Sequence, residues 1–514
     1  MAKRVVIDPV TRVEGHLRVE VEIDNGVVKN AWVQGTMFRG IEQILKGKDP
    51  RDAVHITERV CGVCMTSHGW TSALAVEDAQ GAKVPRAAQL IRNLMAGALW
   101  LHDHPLHFYH LSALDYVDVL AIANYKGKDS KLLALKDKVM ALVQTGDTAP
   151  LTPRYQPDSY SVKDPDTVTT LLAHYMEALE IQGKAKKMSA ILGGKQPHQA
   201  SIVVGGVTNY PKKEQLEAFR TLLNDVVSFA ELVYIPDVVS VCTGPLLSLG
   251  RSGFGAGPGS YLAYGGFSMD EAGSKKLFKG GVISSKNPGV VQELDISQIT
   301  ESVASSWYRE GGPFTPWEES TEVDLDKKGA YSFAKSPRYN GEAVEVGPLA
   351  RMMVLQHSGL LDLMSRYGIK PGAIARHLAR AKETSLICEA MYRWLDELEG
   401  LLKTNAPIHD TRAWEVAAQG QGVGLIEAPR GSLGHWVKIE NKVISNYQLV
   451  VPTTWNASPR DEKNVAGPIE QALIGLPVNP DNPVNIVRVI RSFDPCLACA
   501  VHLIHTDGEK VVRV

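Results

Sequence analysis

Four of the six cysteines in this 514-residue chain form two Cys-x-x-Cys pairs near its opposite ends. Cys61 and Cys64 lie in ERVCGVCMTSH, Cys496 and Cys499 in SFDPCLACAVH, and a histidine follows each pair closely, His68 and His502. A two-residue gap lets both sulfurs of a pair face one ion. Zinc modules usually close over short loops, whereas these pairs have most of the chain between them. A joint site would therefore bring the two ends together and make the rest of the fold wrap around it. From spacing alone, three readings stand: one joint metal site, separate minor sites or redox dithiols, and unligated thiols. Structural zinc or an iron–sulfur cluster is the plainest occupant of such a ligand set.

Charge narrows the partners. Lys and Arg total 55 against 57 Asp and Glu, a formal charge of -2, which gives no electrostatic case for nucleic acid or an anionic membrane. No run approaches the roughly 18 consecutive apolar residues of a spanning helix. The opening MAKRVVIDPVTRVEGH lacks the apolar segment of a secretory signal, so independent export in an unfolded state is not expected. Export of the folded chain on a partner's signal stays open. Six cysteines are too few for a disulfide scaffold, and the isolated Cys242 and Cys388 read as buried small apolar side chains.

The pattern predicts an α+β, predominantly helical fold. RVVIDPV, HLRVEVEI and VVKNAWVQG alternate around Asp24-Asn25-Gly26, the signature of a hairpin within an N-terminal sheet. GTMFRGIE leads into a short helix ending before Asp49-Pro50, and the first Cys-x-x-Cys is expected at a helix start. Apolar residues recur at three- and four-residue spacing from Arg86 towards Tyr116 (with Pro105 interrupting), from Asp166 to Met188, from Gln215 to Tyr234 and from Pro371 to Leu402. These are expected to form a long central bundle, with Pro371 opening the last helix. The Gly- and Ser-rich stretch between Gly244 and Ser336 is expected to form a smaller mixed lobe at the surface. Nothing forces a domain cut, so residues 1–514 are expected to form one large domain.

Several further segments set polar groups in Gly/Pro frames: DPVTRVEGH with Arg12, Glu14 and His16; FRGIE with Arg39 and Glu42; EAPRGSLGH from Glu427 to His435; and YQLVVPTTWNASPRD from Tyr447 to Asp461. Singly, Glu14 reads as a solvated strand residue and Arg430 as a surface arginine. Together, and in order, they change the reading. RxCGxCxxxH from Arg59 to His68, DPCxxCxxH from Asp494 to His502, RxEGH, RGxE, HFYHL, APRG and YQxVxPTTWN closely resemble the large subunit of nickel–iron hydrogenases of the respiratory uptake type, across nearly the whole chain. The related large subunit of respiratory complex I lacks the complete cysteine set.

The resemblance implies a role for each position. Cys61 and Cys496 resemble terminal nickel ligands, Cys64 and Cys499 a pair bridging nickel to an iron that carries one carbon monoxide and two cyanides. Some relatives have selenocysteine at the position of Cys496; as written, this is the all-cysteine form. Arg430 resembles the arginine over the open face of the centre, oriented by Asp103 and Asp494, with Pro429 in the same canopy. Pro452 and Thr453 resemble the cyanide contacts. Glu14 resembles the first proton relay, receiving from Cys496, and His68 a donor to a bridging sulfur. Glu42, the backbone carbonyl near Leu449 and His502 resemble ligands of a second site holding magnesium or ferrous iron. Val63 and Leu111 match gas-channel positions, while His104, His107 and His110 read as packed or hydrogen-bonded. Residues 503–514 resemble a maturation extension that a dedicated protease removes after nickel loading.

The implied reaction is the reversible heterolytic conversion of H2 to two protons and two electrons. Cys242 and Cys388 stand alone, so electrons require a partner, and the resemblance implies an iron–sulfur small subunit forming a heterodimer. Maturation factors are implied for the diatomic ligands. A hydrogen sensor is one rival reading, and a zinc-containing scaffold of an electron-transfer complex is another. Co-export to the periplasm with the small subunit is the expected localisation, with the cytoplasm as alternative.

Overall fold

The computed structural model describes residues 3–146, 148, 151, 154–319 and 321–500. His502 and residues 503–514 lie outside the described residues.

The N-terminal sheet follows the alternation of its sequence. Lys3–Ile7, Leu17–Asp24 and Val27–Gly35 pair antiparallel in chain order. Asp24 stands opposite Val27, so Asn25-Gly26 is a two-residue loop, and both residues have positive φ, 51° and 73°. That is the mirror-image turn whose twist matches the flanking strands. Leu17, Val19, Val21 and Ile23 all point into the core.

Four long helical stretches form the centre. The helix Arg86–Pro105 packs against both Pro165–Gly193 and Ala373–Leu402, and Lys213–Phe229 packs on Pro165–Gly193. Asp164 starts the second of these, its carboxylate accepting from the Thr167 amide, an N-cap placed just before Pro165. Pro105 does not break its helix. The helix widens there into the π-type segment Leu106–Ser112, which accommodates the missing amide donor. The last long helix begins at Ala373, not at Pro371. Its first amide donates to the Phe254 carbonyl at 2.8 Å, so a tertiary contact sets the boundary. One helical run, Lys213–Thr243, is long and apolar enough to cross a membrane by composition. Here its faces meet the helices Pro165–Gly193 and Ala373–Leu402.

A second antiparallel sheet, Gln419–Ala428, Gly431–Glu440 and Val443–Val450, closes the C-terminal half. Its first strand lies flat on the helix Met65–Gln80. A Cβ on Gly420, Gly422 or Gly424 would run into the carbonyl oxygens of Ala79, Ala75 and Thr71 in turn. Every second strand residue advances about as far as four helix residues, so the two repeats stay in step. The Gly-rich stretch forms short two-stranded sheets with many exposed residues, as expected of a mixed lobe at the surface. Leu262, Tyr264, Val282 and Ile299 share one buried cluster with Trp436, Val450 and Trp455, so the lobe's inner side is packed onto this sheet.

Candidate metal centre

The two Cys-x-x-Cys pairs meet. Cys61 Sγ lies 3.3 Å from Cys496 Sγ, Cys64 Sγ is 3.1 Å from Cys499 Sγ, and Cys496 and Cys499 are 2.9 Å apart. All four sulfurs fall within 4.8 Å of one another, all are buried, and none is in a disulfide. Cys64 caps the helix Met65–Gln80, and the amides of Val63 and Cys64 donate to Cys61 Sγ at 3.2 and 3.3 Å. Arg39 donates to the Val60 carbonyl at 2.7 Å and fixes the approach to this turn.

The N-terminal segment holds the other pair. Leu497 donates its amide to the Glu14 carbonyl at 2.8 Å, and Glu14 pairs with Cys496 as an isolated parallel bridge. Gly15 has φ 77°, and a Cβ there would stand 2.6 Å from the Ala498 nitrogen, so only glycine allows the two ends to touch. Arg12 and Arg491 both reach Asp115, the latter at 2.6 Å, and Arg491 also donates to the Thr11 carbonyl.

Over the sulfurs sits Arg430, 3.0 Å from Asp103 Oδ2 and 3.3 Å from Asp494 Oδ1. Burial opposes its charge, but Asp494 and Asp103 prevail and hold it protonated well above the usual range. Burial likewise opposes the Asp103 carboxylate; the hydrogen bond from His102 and the charge of Arg430 prevail and keep its pKa low. Asp494 has φ 56°, and burial raises its pKa. The loop below is clamped by Arg351, which donates to the carbonyls of Ala428 and Pro429 while paired with Glu383 and Glu427. Arg376 and Arg380, one helical turn apart, grip the other side. Arg376 stacks 3.5 Å over Phe493, and Arg380 donates to the Ser492 carbonyl at 2.8 Å.

Glu14 Oε2 lies 3.0 Å from both Cys496 Sγ and the Ala498 amide. Burial and then the Cys61 charge raise its pKa. Hydrogen bonds from the other three thiols hold Cys61 well below the ordinary thiol value, whereas burial lifts Cys496 and Cys499. Four thiols crowded in one dry site cannot all ionise unaided. Soft thiolates converging on one point beneath a guanidinium fit a soft, redox-active metal. A cavity of about 10 Å³, room for one very small molecule, is lined by Cys64, His68, Arg430, Pro452, Thr453 and Cys499 among others. Val63 and Leu111 are not in its lining.

The remaining sequence candidates divide. Thr453 Oγ1 accepts from the Cys496 amide at 2.9 Å, and Pro452 opens the short helix Pro452–Asn456 beside it. His68 Nε2 is 3.3 Å from Cys499 Sγ, and burial pushes its pKa down to about 4. Glu42 and Leu449 lie together at a separate place, the Leu449 amide donating to Glu42 Oε1 at 3.0 Å. Lys335 is there too, 3.3 Å from Glu42, 3.0 Å from Glu319 and 2.7 Å from Gln448, a buried cation that the sequence did not single out. His104, His107 and His110 contact Glu383, the Arg491 carbonyl and the Tyr175 carbonyl respectively. Cys242 and Cys388 are core residues, 1% and 2% exposed. Reading the sequence also passed over Arg351, Arg376 and Arg380, and gave Tyr447 no role of its own within its motif. Arginines four apart in the largely apolar opening of the last long helix, AIARHLARA, were the available signal for two of them.

This fold and site define a protein built around one buried four-cysteine metal site, and comparison with known proteins makes the class specific. The family model described as nickel-dependent hydrogenase matches residues 39–502, and one described as HoxL-like matches residues 4–38. The chain is 38% identical to the hydrogenase-2 large chain of Escherichia coli K12, over all of both chains. It is 37% identical to the uptake hydrogenase large subunit of Bradyrhizobium diazoefficiens, over all of this chain and 97% of the other. The reduced Ni-Fe-Se hydrogenase of D. vulgaris Hildenborough superposes with a TM-score of 0.85 at 39% identity, covering 98% of this chain and 100% of that one. The chain belongs to the nickel-dependent hydrogenase family, as a catalytic large subunit. Its four-cysteine site is that of a nickel–iron centre, and a small subunit is its partner.

Proposed function

We propose that H2 is split heterolytically beneath Arg430 and that Glu14 takes the first proton from the Cys496 sulfur. The 3.0 Å contact between Glu14 Oε2 and Cys496 Sγ carries this reading. When bound, the nickel–iron group polarises H2 and receives its two electrons. The protein supplies the rest. Cys61, Cys64, Cys496 and Cys499 would hold the metals, and Thr453 and the backbone around Pro452 would hydrogen-bond a cyanide of the iron. Arg430, set by Asp103 and Asp494 on a loop that Arg351 holds at the Pro429 carbonyl, presents fixed positive charge where the H–H bond polarises, with no reorganisation needed at that moment. A raised Glu14 pKa brings the carboxyl closer to that of a thiol donor, which is the condition for proton transfer between them.

Electrons leave to an iron–sulfur small subunit, since the two remaining cysteines of this chain are buried singly and far apart in sequence. Glu42, the Leu449 backbone and His502 hold magnesium or ferrous iron as a structural site. The whole of residues 1–514 forms one catalytic domain, matured by accessory proteins and a protease that removes 503–514. Co-export places the heterodimer in the periplasm, in keeping with the periplasmic NiFeSe hydrogenase large subunit of Desulfomicrobium baculatum, to which the chain is 38% identical.

Infrared spectra of the natively matured complex, before and after H2, test the assignment. Iron-bound carbonyl and cyanide bands that move with H2 are expected, and a fully matured complex without them overturns it. Mass spectrometry of the same sample is expected to show the chain ending at His502. Cell fractionation is expected to place the complex in the periplasm.

A further inference from the structure

His68 does not act alone. Its Nδ1 is 3.2 Å from His435 Nε2, His435 Nδ1 is 2.8 Å from Tyr447 Oη, and Tyr447 Oη is 2.9 Å from Ser72 Oγ. Starting from Cys499 Sγ, 3.3 Å from His68 Nε2, this is one unbroken chain of contacts through groups no more than 3% exposed. It runs from the helix Met65–Gln80 across two strands of the C-terminal sheet.

We propose that His435 and Tyr447 are positioning residues that fix which nitrogen of His68 carries its proton. A neutral imidazole has one donor and one acceptor nitrogen, so each link determines the next. If the phenol donates to His435 Nδ1, then His435 Nε2–H donates to His68 Nδ1, and His68 Nε2–H points at the Cys499 sulfur. If the phenol instead accepts from His435, every link reverses and His68 turns a bare lone pair towards Cys499. A thiolate at Cys499 selects the first order, because two lone pairs facing each other in a dry site repel. In that order the phenol's one hydrogen goes to His435 Nδ1, so its contact with Ser72, in which the phenol donates as the structure stands, reverses and the Ser72 hydroxyl donates to the phenol oxygen. The hydrogen bond so secured at Cys499 draws electron density from the sulfur. A partner three residues beyond the ligand thus tunes the centre, as outer contacts of metal ligands generally do.

The inference rests on the nickel–iron reading of the four-cysteine site. Its test is infrared spectroscopy of the matured complex carrying Tyr447→Phe, His68→Gln or both, with nickel content and Tm measured alongside. Tyr447→Phe is expected to move the iron-bound bands in the same direction as His68→Gln and to lower turnover by roughly 10-fold. Added to His68→Gln, it is expected to change neither further. Parent bands and turnover in nickel-loaded Tyr447→Phe, or effects that simply add in the double variant, overturn the proposal. Should Tyr447→Phe not load nickel, His435→Gln, which keeps an N–H donor, is compared with His435→Leu. The Gln variant is expected to stay closer to the parent spectrum, and equal shifts overturn the proposal. A parent complex without iron-bound bands sinks the metal reading, and this inference with it.

Discussion

Glu14 and Cys496 come from opposite ends of the chain, yet the carboxylate Oε2 touches the sulfur at 3.0 Å and the Glu14 carbonyl accepts from the next amide, Leu497, at 2.8 Å. One residue therefore fastens the C-terminal ligand pair and stands ready to take its proton. These two tasks separate by substitution.

Glu14→Gln keeps the size and one hydrogen-bond acceptor but cannot take up a proton. Turnover in H2 oxidation is expected to fall by about 100-fold or more, the usual range for a lost acid–base group. Nickel content and the infrared response to H2 are expected to persist, since the backbone contacts remain. Loss of nickel from the variant would show instead that the side chain is needed for closure.

Arg430→Lys retains charge but replaces a planar fork with a single ammonium. The present guanidinium reaches Asp103 with Nη1 and Asp494 with Nη2. A lysine there cannot span both in that geometry. Turnover is expected to drop by about 100-fold with normal metal content, measured as H2-dependent dye reduction by the complex.

Gly422→Ala places a methyl group against the Ala75 carbonyl oxygen. Helix and strand must separate to admit it, a cost of about 1–3 kcal/mol for overpacking. A lower Tm is expected, and an unchanged one would mean that the strand lies looser on the helix than described.

Arg351→Met leaves Glu383 and Glu427 buried without their shared cation. Breaking a buried pair from one side costs about 3–5 kcal/mol. Denaturant unfolding of the complex is expected to register that loss, together with a mobile Pro429 loop.

Glu470 gives a pH dependence of known sign. Burial raises its pKa to about 7 from the ordinary 4.5, its Oε1 accepting from the Val33 amide and the Tyr331 hydroxyl. The folded state thus holds this proton more tightly than the unfolded state. The stabilising contribution is full below about pH 4.5 and is lost as pH rises through about 7. Glu470→Gln is expected to flatten that part of the stability–pH curve and to raise Tm at pH 8. A curve identical to the parent's would refute it.

The sequence by itself determined a good deal. Alternation around Asn25-Gly26 specified the hairpin because strand periodicity and turn chemistry are local. The long helices were legible for the same reason, although Ala373 starts its helix where the Phe254 carbonyl caps it. The cysteine pairs, with Arg430, Asp103 and Asp494, specified a metal centre through their order along the chain. Tertiary structure alone decided what surrounds it. The glycines at 420, 422 and 424 find their reason only in the helix their strand lies on. His435 and Tyr447 become partners of His68 only when strands and helix meet, and Lys335 joins Glu42 from a different lobe. Periodicity and turns are written in neighbouring residues, whereas a buried polar group's partner depends on which distant surfaces pack together. That choice is made by the core as a whole.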